Sequence, residues 1–264
     1  MNDAPNLIAI NVGNTRTLAG VFVGGTLEET VREPNDDLPA LVKRVTPWWD
    51  RIRTLPQAVF MLASVNDDAA NRVAATVSGQ FATEVYRVGT DLPVPIGEQL
   101  DPETITGVDR LLNAAAAFAV IEQACIVIDA GTAVTVDFVD GEGTFHGGAI
   151  APGARMQLRA MHEHTAALPD VPFEVPDDDP FGRSTARAMQ RGVYQGIRGL
   201  VWRLVEQYAE YYGAYPMVIA TGGDAEVLFA DDALVDRIVP DLTLHGIATA
   251  ARHALRVDDA DLPK

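Results

Sequence analysis

The chain has 264 residues, of which 48% are hydrophobic and 22% charged, a composition typical of a folded globular protein rather than a disordered one. Its 20 Lys and Arg against 37 Asp and Glu give a net charge of −17, which argues against nucleic acid or an anionic membrane surface as a partner. The single cysteine, Cys125, excludes an internal disulfide and a multi-cysteine zinc site, and its apolar neighbours predict a buried, unreactive thiol.

The first half of the chain predicts a mixture of strands and helices. Apolar runs bounded by turn residues are typical of buried strands, and apolar residues at helical spacing after an Asp or Asn cap are typical of helices. In chain order, the predicted elements are strands at 7–10, 17–23 and 27–32, a helix from about 38 to 52, a strand at 58–65, a helix from about 67 to 81 and a strand at 83–88. Residues 90–107 predict a loop, and an Ala-rich helix at 108–121 is expected to join two halves.

The second half opens in the same way as the first. The predicted elements are strands at 124–128, 134–139 and 144–150, a helix at 153–165, a loop around 177–180, one long or two shorter helices over 184–212, a strand at 217–220 and a closing helix from 242 to about 255. The polar N-terminus does not resemble a signal peptide, and the longest apolar run, 114–121, is too short to span a bilayer. The expected location is therefore the cytoplasm.

An internal repeat relates the two halves at an offset of 118 residues (129 − 11). In each half a buried strand leads to a carboxylate or its amide, then to a glycine two residues later, a small polar residue and a second strand. The matched pairs are Asn11 with Asp129, Ile8 with Ile126, Ile10 with Ile128, Gly13 with Gly131, Thr17 with Thr135, Val21 with Val139 and Gly25 with Gly143. A third strand ends in Thr221-Gly-Gly-Asp224, so three strand ends carry a similar loop.

The repeated turns predict a phosphate-binding site. A tight turn aims backbone N–H groups at one point, and glycine lets the backbone approach a ligand closely. Asn14, Thr15 and Thr132 add short side-chain donors, and a carboxylate at the start of such a turn can hold a cation that bridges to phosphate oxygens. Two turns facing each other across a cleft between similar halves would hold a triphosphate from both sides. Ordinary Asx-type hairpin turns are the alternative interpretation.

The motifs, taken in order, resemble the type III pantothenate kinase family. Each motif is short, but together they cover nearly the whole chain. They are Asn11-Val-Gly-Asn-Thr15, Gly107-Val-Asp-Arg110, Asp129-Ala-Gly-Thr132, Gly147-Gly-Ala-Ile-Ala-Pro-Gly153, Thr165 with Leu168-Pro169, Gly182-Arg-Ser-Thr185 and Thr221-Gly-Gly223. The resemblance implies an α/β actin-like fold of two ribonuclease-H-like halves, with mixed sheets flanked by helices. We place these halves at 1–113, with the first turn, and 114–264, with the second turn and a dimer surface.

The resemblance also implies an activity and its requirements. The family phosphorylates pantothenate to 4′-phosphopantothenate with ATP, the first step of coenzyme A synthesis. The expected cofactors are Mg²⁺ with ATP and a monovalent cation, K⁺ or NH₄⁺. The expected partners are ATP, pantothenate and a second copy of the chain in a homodimer.

Roles for individual residues follow from the resemblance at matching positions. The residues implied to hold ATP are Asn11, Val12, Gly13, Asn14, Thr15, Arg16 and, from the second turn, Thr132. Asp129 is implied to bind the monovalent cation. Asp109 is implied to be the general base on the pantothenate hydroxyl, and the remaining substrate-binding residues are Gly107, Val108, Arg110 and Thr185. The chemistry suits these residue types, because a carboxylate can take a hydroxyl proton and an Arg fork can hold the pantothenate carboxylate.

Two positions depart from the family pattern. Asn11 stands where the family has Asp, which keeps an oxygen ligand but removes a charge that attracts Mg²⁺. The Tyr that usually lies about seven residues before the glycine of Gly-x-Asp-Arg is missing, since 99–102 reads Gln-Leu-Asp-Pro. These departures leave open a catalytically weak or inactive nucleotide-binding relative with a regulatory role, and another small-molecule kinase on the same fold.

Overall fold

The computed structural model describes residues 4–260, which divide into two compact units. Unit 1 comprises the residues up to Ile96, Pro102–Ala119 and the residues from Leu242 onward; unit 2 comprises Gly97–Asp101 and Val120–Asp241. In chain order, the elements are β1 (Asn6–Val12), β2 (Arg16–Val23), β3 (Thr26–Pro34), α1 (Leu38–Ile52), β4 (Ala58–Ser64), α2 (Asp67–Phe81), β5 (Val85–Arg87), β6 (Gly97–Glu98), α3 (Val108–Ile121), β7 (Cys125–Ala130), β8 (Ala133–Val139), β9 (Thr144–Pro152), α4 (Ala154–Glu163), α5 (Thr185–Tyr212), β10 (Met217–Thr221), α6 (Ala225–Phe229), β11 (Arg237–Ile238) and α7 (Leu242–Ala260).

Unit 1 is a five-stranded sheet with helices on both faces. The strand order is β3-β2-β1-β4-β5; β1, β2 and β3 run antiparallel, whereas β4 is parallel to β1 and β5 is parallel to β4. Alternate residues of each strand point to opposite faces. Ile8 and Phe60 therefore pack with α1 and α2 on one face, and Leu7 packs with Leu112 of α3 and Ile247 of α7 on the other.

The closing helix α7 belongs to unit 1 by its contacts. The Thr243 hydroxyl donates to Asn113 Oδ1 (2.8 Å), and Gly246 lies so close to α3 that a Cβ there would meet the Leu112 carbonyl oxygen. The predicted domains at 1–113 and 114–264 stay a prediction. By its contacts, α7 lies with the first sheet in unit 1, because it covers one face of that sheet.

Unit 2 is a six-stranded sheet whose core is formed with α4, α5 and α6. The strand order is β11-β10-β7-β8-β9-β6; β7, β8 and β9 are antiparallel, and β10 is parallel to β7. Ile126 and Val136 of the sheet share one buried cluster with Leu158 of α4, Val201 of α5 and Leu228 of α6. Residues 184–212, predicted as one helix or two, form the single helix α5, capped by Ser184 and ended by Gly213 with φ of 79°.

The internal repeat is visible in the strand order. The order β3-β2-β1-β4-β5 of unit 1 recurs as β9-β8-β7-β10-β11 in unit 2, which confirms the predicted α/β fold with two mixed sheets flanked by helices. The second turn is one residue shorter than the first, because Val12 pairs with Thr17 whereas Ala130 pairs with Val134. The constant offset of 118 residues is therefore wrong beyond the turn, and Thr17 corresponds to Val134 rather than Thr135.

The remaining differences from the predicted elements are short. Residues 90–107 contain β6, which pairs with β9 through Gly97 and Thr144, and the helix α6 and strand β11 were not predicted. Elements of two to five residues carry no periodicity that a sequence could reveal. The buried thiol prediction is confirmed: Cys125 is buried in β7, and burial raises its pKa to about 12. Across residues 4–260, no helix is long and apolar enough to cross a membrane.

Candidate active site

The first predicted phosphate-binding segment is a tight turn between β1 and β2. Gly13 N–H donates to the Arg16 carbonyl (3.0 Å), which closes the turn directly after the paired residues Val12 and Thr17. Asn14, Thr15 and Arg16 are exposed, while Val12, the last residue of β1, is buried in the cluster that includes residues of α1 and α2. The turn therefore exposes polar residues to solvent, as a phosphate-binding turn would, and is anchored by apolar packing at Val12.

Two polar side chains that were not predicted hold this turn from opposite sides. Asn35 Nδ2 donates to the Gly13 carbonyl (2.8 Å). Ser64 Oγ donates to the Val12 carbonyl (3.0 Å), and Val65 N–H donates to the same carbonyl (3.3 Å). Ser64 could have been found from the sequence, since it ends β4, and the carboxyl ends of parallel strands lie at one edge of a sheet. Nothing in the sequence pattern indicates Asn35.

Asn11 carries a buried polar atom without a partner. Its Oδ1 is buried and accepts no hydrogen bond within residues 4–260, although Asn11 is paired in the sheet with Leu18 and Ala63. Most buried polar atoms in folded proteins have a partner, so an exception calls for an explanation such as a bound ion or water. The orphaned oxygen at the start of the turn is therefore available to a metal ion or a donor from the ligand.

The predicted substrate-binding residues Gly107, Val108, Asp109 and Arg110 lie together where α3 begins. Asp109 Oδ1 accepts a hydrogen bond from the Arg110 backbone N–H (2.8 Å), and all four residues are partly exposed. The positive end of the helix dipole favours a carboxylate in this first turn. Val65 connects the cluster to the first turn, because its N–H binds the Val12 carbonyl and its side chain lies 3.6 Å from the position of a Cβ at Gly107.

We expect Gly107→Ala to displace the Asp109 carboxylate. The kcat of the pantothenate phosphorylation that the resemblance implies should fall by about 10- to 100-fold, with little change in the stability of the fold. A Cβ at residue 107 would lie 2.7 Å from Asp109 Oδ1, so the carboxylate must move. Steady-state kinetics and thermal unfolding measure the two effects. Gly79→Ala, in open space on α2, is the matched control; a Gly107→Ala enzyme with wild-type kcat would contradict the prediction.

The second predicted turn, in unit 2, follows β7. Asp129 lies between Thr135 of β8 and Thr221 of β10 in the sheet, and Gly131 N–H donates to the Ala133 carbonyl (2.9 Å). Thr132 is exposed at the tip of the turn. The geometry repeats that of the first turn with one residue fewer.

Two further loops of unit 2 pack against this second turn. Gly153 N–H donates to the Thr132 carbonyl (3.0 Å), and Asp224 N–H donates to the Ala130 carbonyl (2.9 Å). The buried Asp224 carboxylate also accepts two hydrogen bonds from Arg155 Nη1 (2.5 and 2.7 Å) at the start of α4. Gly222, with φ of 95°, lies against Asp129, where a Cβ would be 2.5 Å from Oδ1. The second turn, the loop after β10 and the start of α4 thus form one fixed cluster.

We expect Gly153→Ala to destabilise unit 2 by about 2 kcal/mol or more. A Cβ at residue 153 would strike the carbonyl oxygens of Gly131 and Thr132, and backbone atoms cannot move aside as a flexible side chain can. Gly196→Ala is the control, because residue 196 is exposed on α5 with open space around it; it should raise stability by about 0.5–1 kcal/mol. Urea unfolding measures both variants. If the two substitutions change the free energy of unfolding equally, Gly153 does not lie in close contact with the Gly131 and Thr132 carbonyls.

Thr185 is the first residue of α5 and is exposed beside an ion-paired loop. Asp179 accepts a hydrogen bond from Arg183 Nε (2.5 Å), which lowers the pKa of Asp179. Asp177 lies within 3.1 Å of both Arg187 and Arg191. The loop predicted around 177–180 is therefore joined by ion pairs to the N-terminal half of α5. Among residues 4–260, no group of three or more His, Cys, Asp or Glu side chains is arranged to hold a metal ion.

The fold and the site together define the class of protein. The two sheets share one strand order, and in each sheet a glycine turn follows the central strand. This arrangement is the actin-like architecture. The chain resembles component A of (R)-2-hydroxyglutaryl-CoA dehydratase from Acidaminococcus fermentans with a TM-score of 0.54, at 14% identity, covering 97% of this chain and all of that one. At this identity the likeness shows the fold alone. A carboxylate at a helix start beside a phosphate-type turn suits a phosphotransferase of this fold.

Sequence comparison gives the family. The family model of type III pantothenate kinase matches residues 7–207. The chain is 33% identical over 254 residues to the type III pantothenate kinase of Dehalococcoides mccartyi and 34% identical over 248 residues to that of Paramagnetospirillum magneticum. Each alignment covers 91% of this chain and 95% of the relative. The chain belongs to the type III pantothenate kinase family.

Proposed function

We propose that this protein transfers the γ-phosphoryl group of ATP to the hydroxyl of pantothenate, making 4′-phosphopantothenate for coenzyme A synthesis. One observation carries the proposal: in a chain of this family, the carboxylate of Asp109 stands at a helix start that Val65 joins to the first turn. Phosphoryl transfer depends mainly on positioning and on neutralising charge, so a fixed turn beside a fixed base supplies what the reaction needs.

We assign ATP binding to both turns, each on its own grounds. In unit 1 the residues are Asn11, Val12, Gly13, Asn14, Thr15 and Arg16, and in unit 2 the residue is Thr132. The assignment of the first turn is supported by its exposed polar residues and by the orphaned Oδ1 of Asn11. That of Thr132 is supported by its exposure at the tip of a turn that Gly153 holds in place. Backbone N–H groups of such turns donate to phosphate oxygens.

We assign pantothenate binding to the start of α3 and the start of α5. Asp109 takes the proton of the attacking hydroxyl, and the Arg110 guanidinium binds the pantothenate carboxylate. We assign Gly107 and Val108 to pantothenate binding beside these two residues, and we assign Thr185 separately as a hydroxyl donor at the start of α5. The hydrogen bond from Arg110 N–H to Asp109 Oδ1 supports the role of Asp109, because it fixes the orientation of the carboxylate at the start of α3.

The kinase family requires a divalent metal, and we propose that it is Mg²⁺ held with ATP. Mg²⁺ usually keeps several waters and takes few protein ligands beside the phosphates, so a single buried oxygen, Oδ1 of Asn11, fits the ion. When bound, the metal neutralises charge on the phosphate oxygens. We assign the monovalent cation, K⁺ or NH₄⁺, to Asp129, whose carboxylate oxygen suits a hard cation.

We further propose a homodimer and a cytoplasmic location. The dimer is supported by an apolar groove of about 590 Å³ between α4 and α5, since open apolar surface of this kind commonly meets a partner. The groove is lined by Pro152, Met156, Gln157, Ala160, Met161, Ala188, Met189, Gly192 and Val193. The location follows from the proposed reaction, which draws on the cytoplasmic ATP supply.

The test of the function is direct. Purified protein with ATP, Mg²⁺, K⁺ and pantothenate should yield phosphopantothenate, detected by mass spectrometry, in an amount equal to the ADP formed. ADP formation in parallel reactions without pantothenate is the control. Binding of ATP without any phosphopantothenate, under every cation condition tried, would overturn the kinase and favour a nucleotide-binding relative in which Asn11 replaces the catalytic family's Asp.

A further inference from the structure

We infer that Asn35 is a positioning residue for the ATP phosphates, because it sets the orientation of the peptide groups in the first turn. The inference rests on the proposed function, which assigns that turn to the phosphates. Asn35 itself is buried, with 9% of its surface exposed, and it contacts the turn through the carbonyls of Gly13 and Thr15.

The strand pairing brings Asn35 to this place. β3 runs antiparallel to β2, with Pro34 opposite Arg16 and Glu33 opposite Thr17. The next residue, Asn35, continues the pairing beyond the end of β3, and its backbone N–H donates to the Thr15 carbonyl (3.1 Å). Its side chain is thereby directed at the base of the turn.

Both polar atoms of the Asn35 amide have hydrogen-bond partners, and these partners determine which atom is the nitrogen and which is the oxygen. Nδ2 donates to the Gly13 carbonyl (2.8 Å), which can only accept. Oδ1 accepts from the hydroxyl of Thr17 (2.9 Å), a residue that is 1% exposed. A buried amide with both ends occupied cannot rotate without leaving groups unpaired, so it acts as a rigid support.

The support determines where the turn's N–H groups point. In a trans peptide the C=O of one residue and the N–H of the next point in opposite directions. Because the Gly13 carbonyl is held towards Asn35, the N–H of Asn14 points away from Asn35. The Thr15 carbonyl is held by the Asn35 backbone, so the N–H of Arg16 also points away. Asn14 and Arg16 are exposed, so the two peptides offer these donors on the open side of the turn.

Single substitutions separate the two bonds of the side chain. Asn35→Asp keeps an oxygen for Thr17 but removes the donor to Gly13, and it places a carboxylate against a carbonyl. Thr17→Val removes only the hydroxyl that steadies the amide. The chain supplies a matched control, because Thr243 of α7 likewise donates its hydroxyl to a buried Asn of the same unit, Asn113 Oδ1 of α3 (2.8 Å), and neither residue belongs to the first turn.

The experiment compares the three variants in binding and in kinetics. Calorimetry with Mg²⁺ and the non-hydrolysable analogue AMPPNP should give a Kd raised about tenfold or more in Asn35→Asp, about threefold in Thr17→Val and not at all in Thr243→Val. The KM for ATP should rise in parallel, while the KM for pantothenate stays within about twofold. Thermal unfolding should show similar losses for Thr17→Val and Thr243→Val.

The outcomes separate the inference from a purely structural role. Equal stability losses with weakened AMPPNP binding only in the residue 35 and 17 variants support positioning. Wild-type AMPPNP binding in Asn35→Asp, or a loss of affinity in Thr243→Val equal to that in Thr17→Val, would overturn it. A wild type that binds AMPPNP but makes no phosphopantothenate would refute the proposed function while leaving the binding test of Asn35 intact.

Discussion

Asp109→Asn should lower kcat for pantothenate phosphorylation by about 10²- to 10⁴-fold, the usual range for loss of a general base. The amide has the shape of the carboxylate and can still lie at the start of α3, but it cannot take a proton from the pantothenate hydroxyl. The KM for ATP should change little, because the first turn is held by Asn35 and Ser64 rather than by Asp109.

The control for this variant is Asp101→Asn, which removes the same charge from an exposed loop residue and should retain wild-type kcat. The rate of phosphopantothenate formation at saturating ATP and pantothenate is the measurement. AMPPNP binding and the unfolding temperature establish that Asp109→Asn is folded. A folded Asp109→Asn enzyme that keeps more than about a tenth of wild-type kcat would show that another group, or water, accepts the proton.

The part of the fold that the sequence predicted is the part set by local patterns. The buried strand leading to Asn11 and the one leading to Asp129 carry alternating or continuous apolar residues, and each ends at a glycine turn. Their elements appear where expected, and the helices α1 and α2 begin with side-chain caps of the two expected types, Asp37 and Asn66. Local signals were sufficient because each depends on residues a few positions apart.

The contacts that support the first turn could not be predicted in the same way. Asn35 reaches Gly13 across 22 residues, and which residue arrives there depends on the register between β2 and β3. That register shifts at an irregularity between Val21 and Phe22, which the hairpin sequence does not reveal. Similarly, the one-residue difference between the two turns depends on strand pairing, so matching residues at a constant offset misaligned Thr17.

The placement of α7 shows the same limit at the level of domains. Its apolar spacing predicted a helix, and the helix is present. Its partner was not predictable, because Gly246 is informative only once the Leu112 carbonyl is known to lie against it. Sequence patterns indicate that a face is apolar, but they do not indicate which other face covers it.

Asn11→Leu should impair the use of MgATP, whereas Asn11→Asp should strengthen the binding of Mg²⁺. Leucine removes the buried, unpartnered Oδ1, so we expect kcat/KM for ATP to fall by about 10²-fold, the effect of losing one contact to a charged group. Aspartate keeps the oxygen and adds a charge, so the Mg²⁺ concentration for half-maximal rate should fall by about tenfold. Initial rates measured against free Mg²⁺ at fixed ATP report both changes.

Asn71→Asp is the matched control for the added charge, since Asn71 is exposed on α2 in the same unit and contacts Arg87 rather than the turn. Its Mg²⁺ dependence should stay within about twofold of wild type. If Asn11→Asp needs more Mg²⁺ than wild type, the oxygen does not bind the metal, and the amide must instead donate to the phosphates. If Asn11→Leu is indistinguishable from wild type, no ligand meets the orphaned oxygen. The expected pair of shifts, by contrast, would mean that this chain keeps the metal position with a neutral ligand and binds the ion more weakly for that reason.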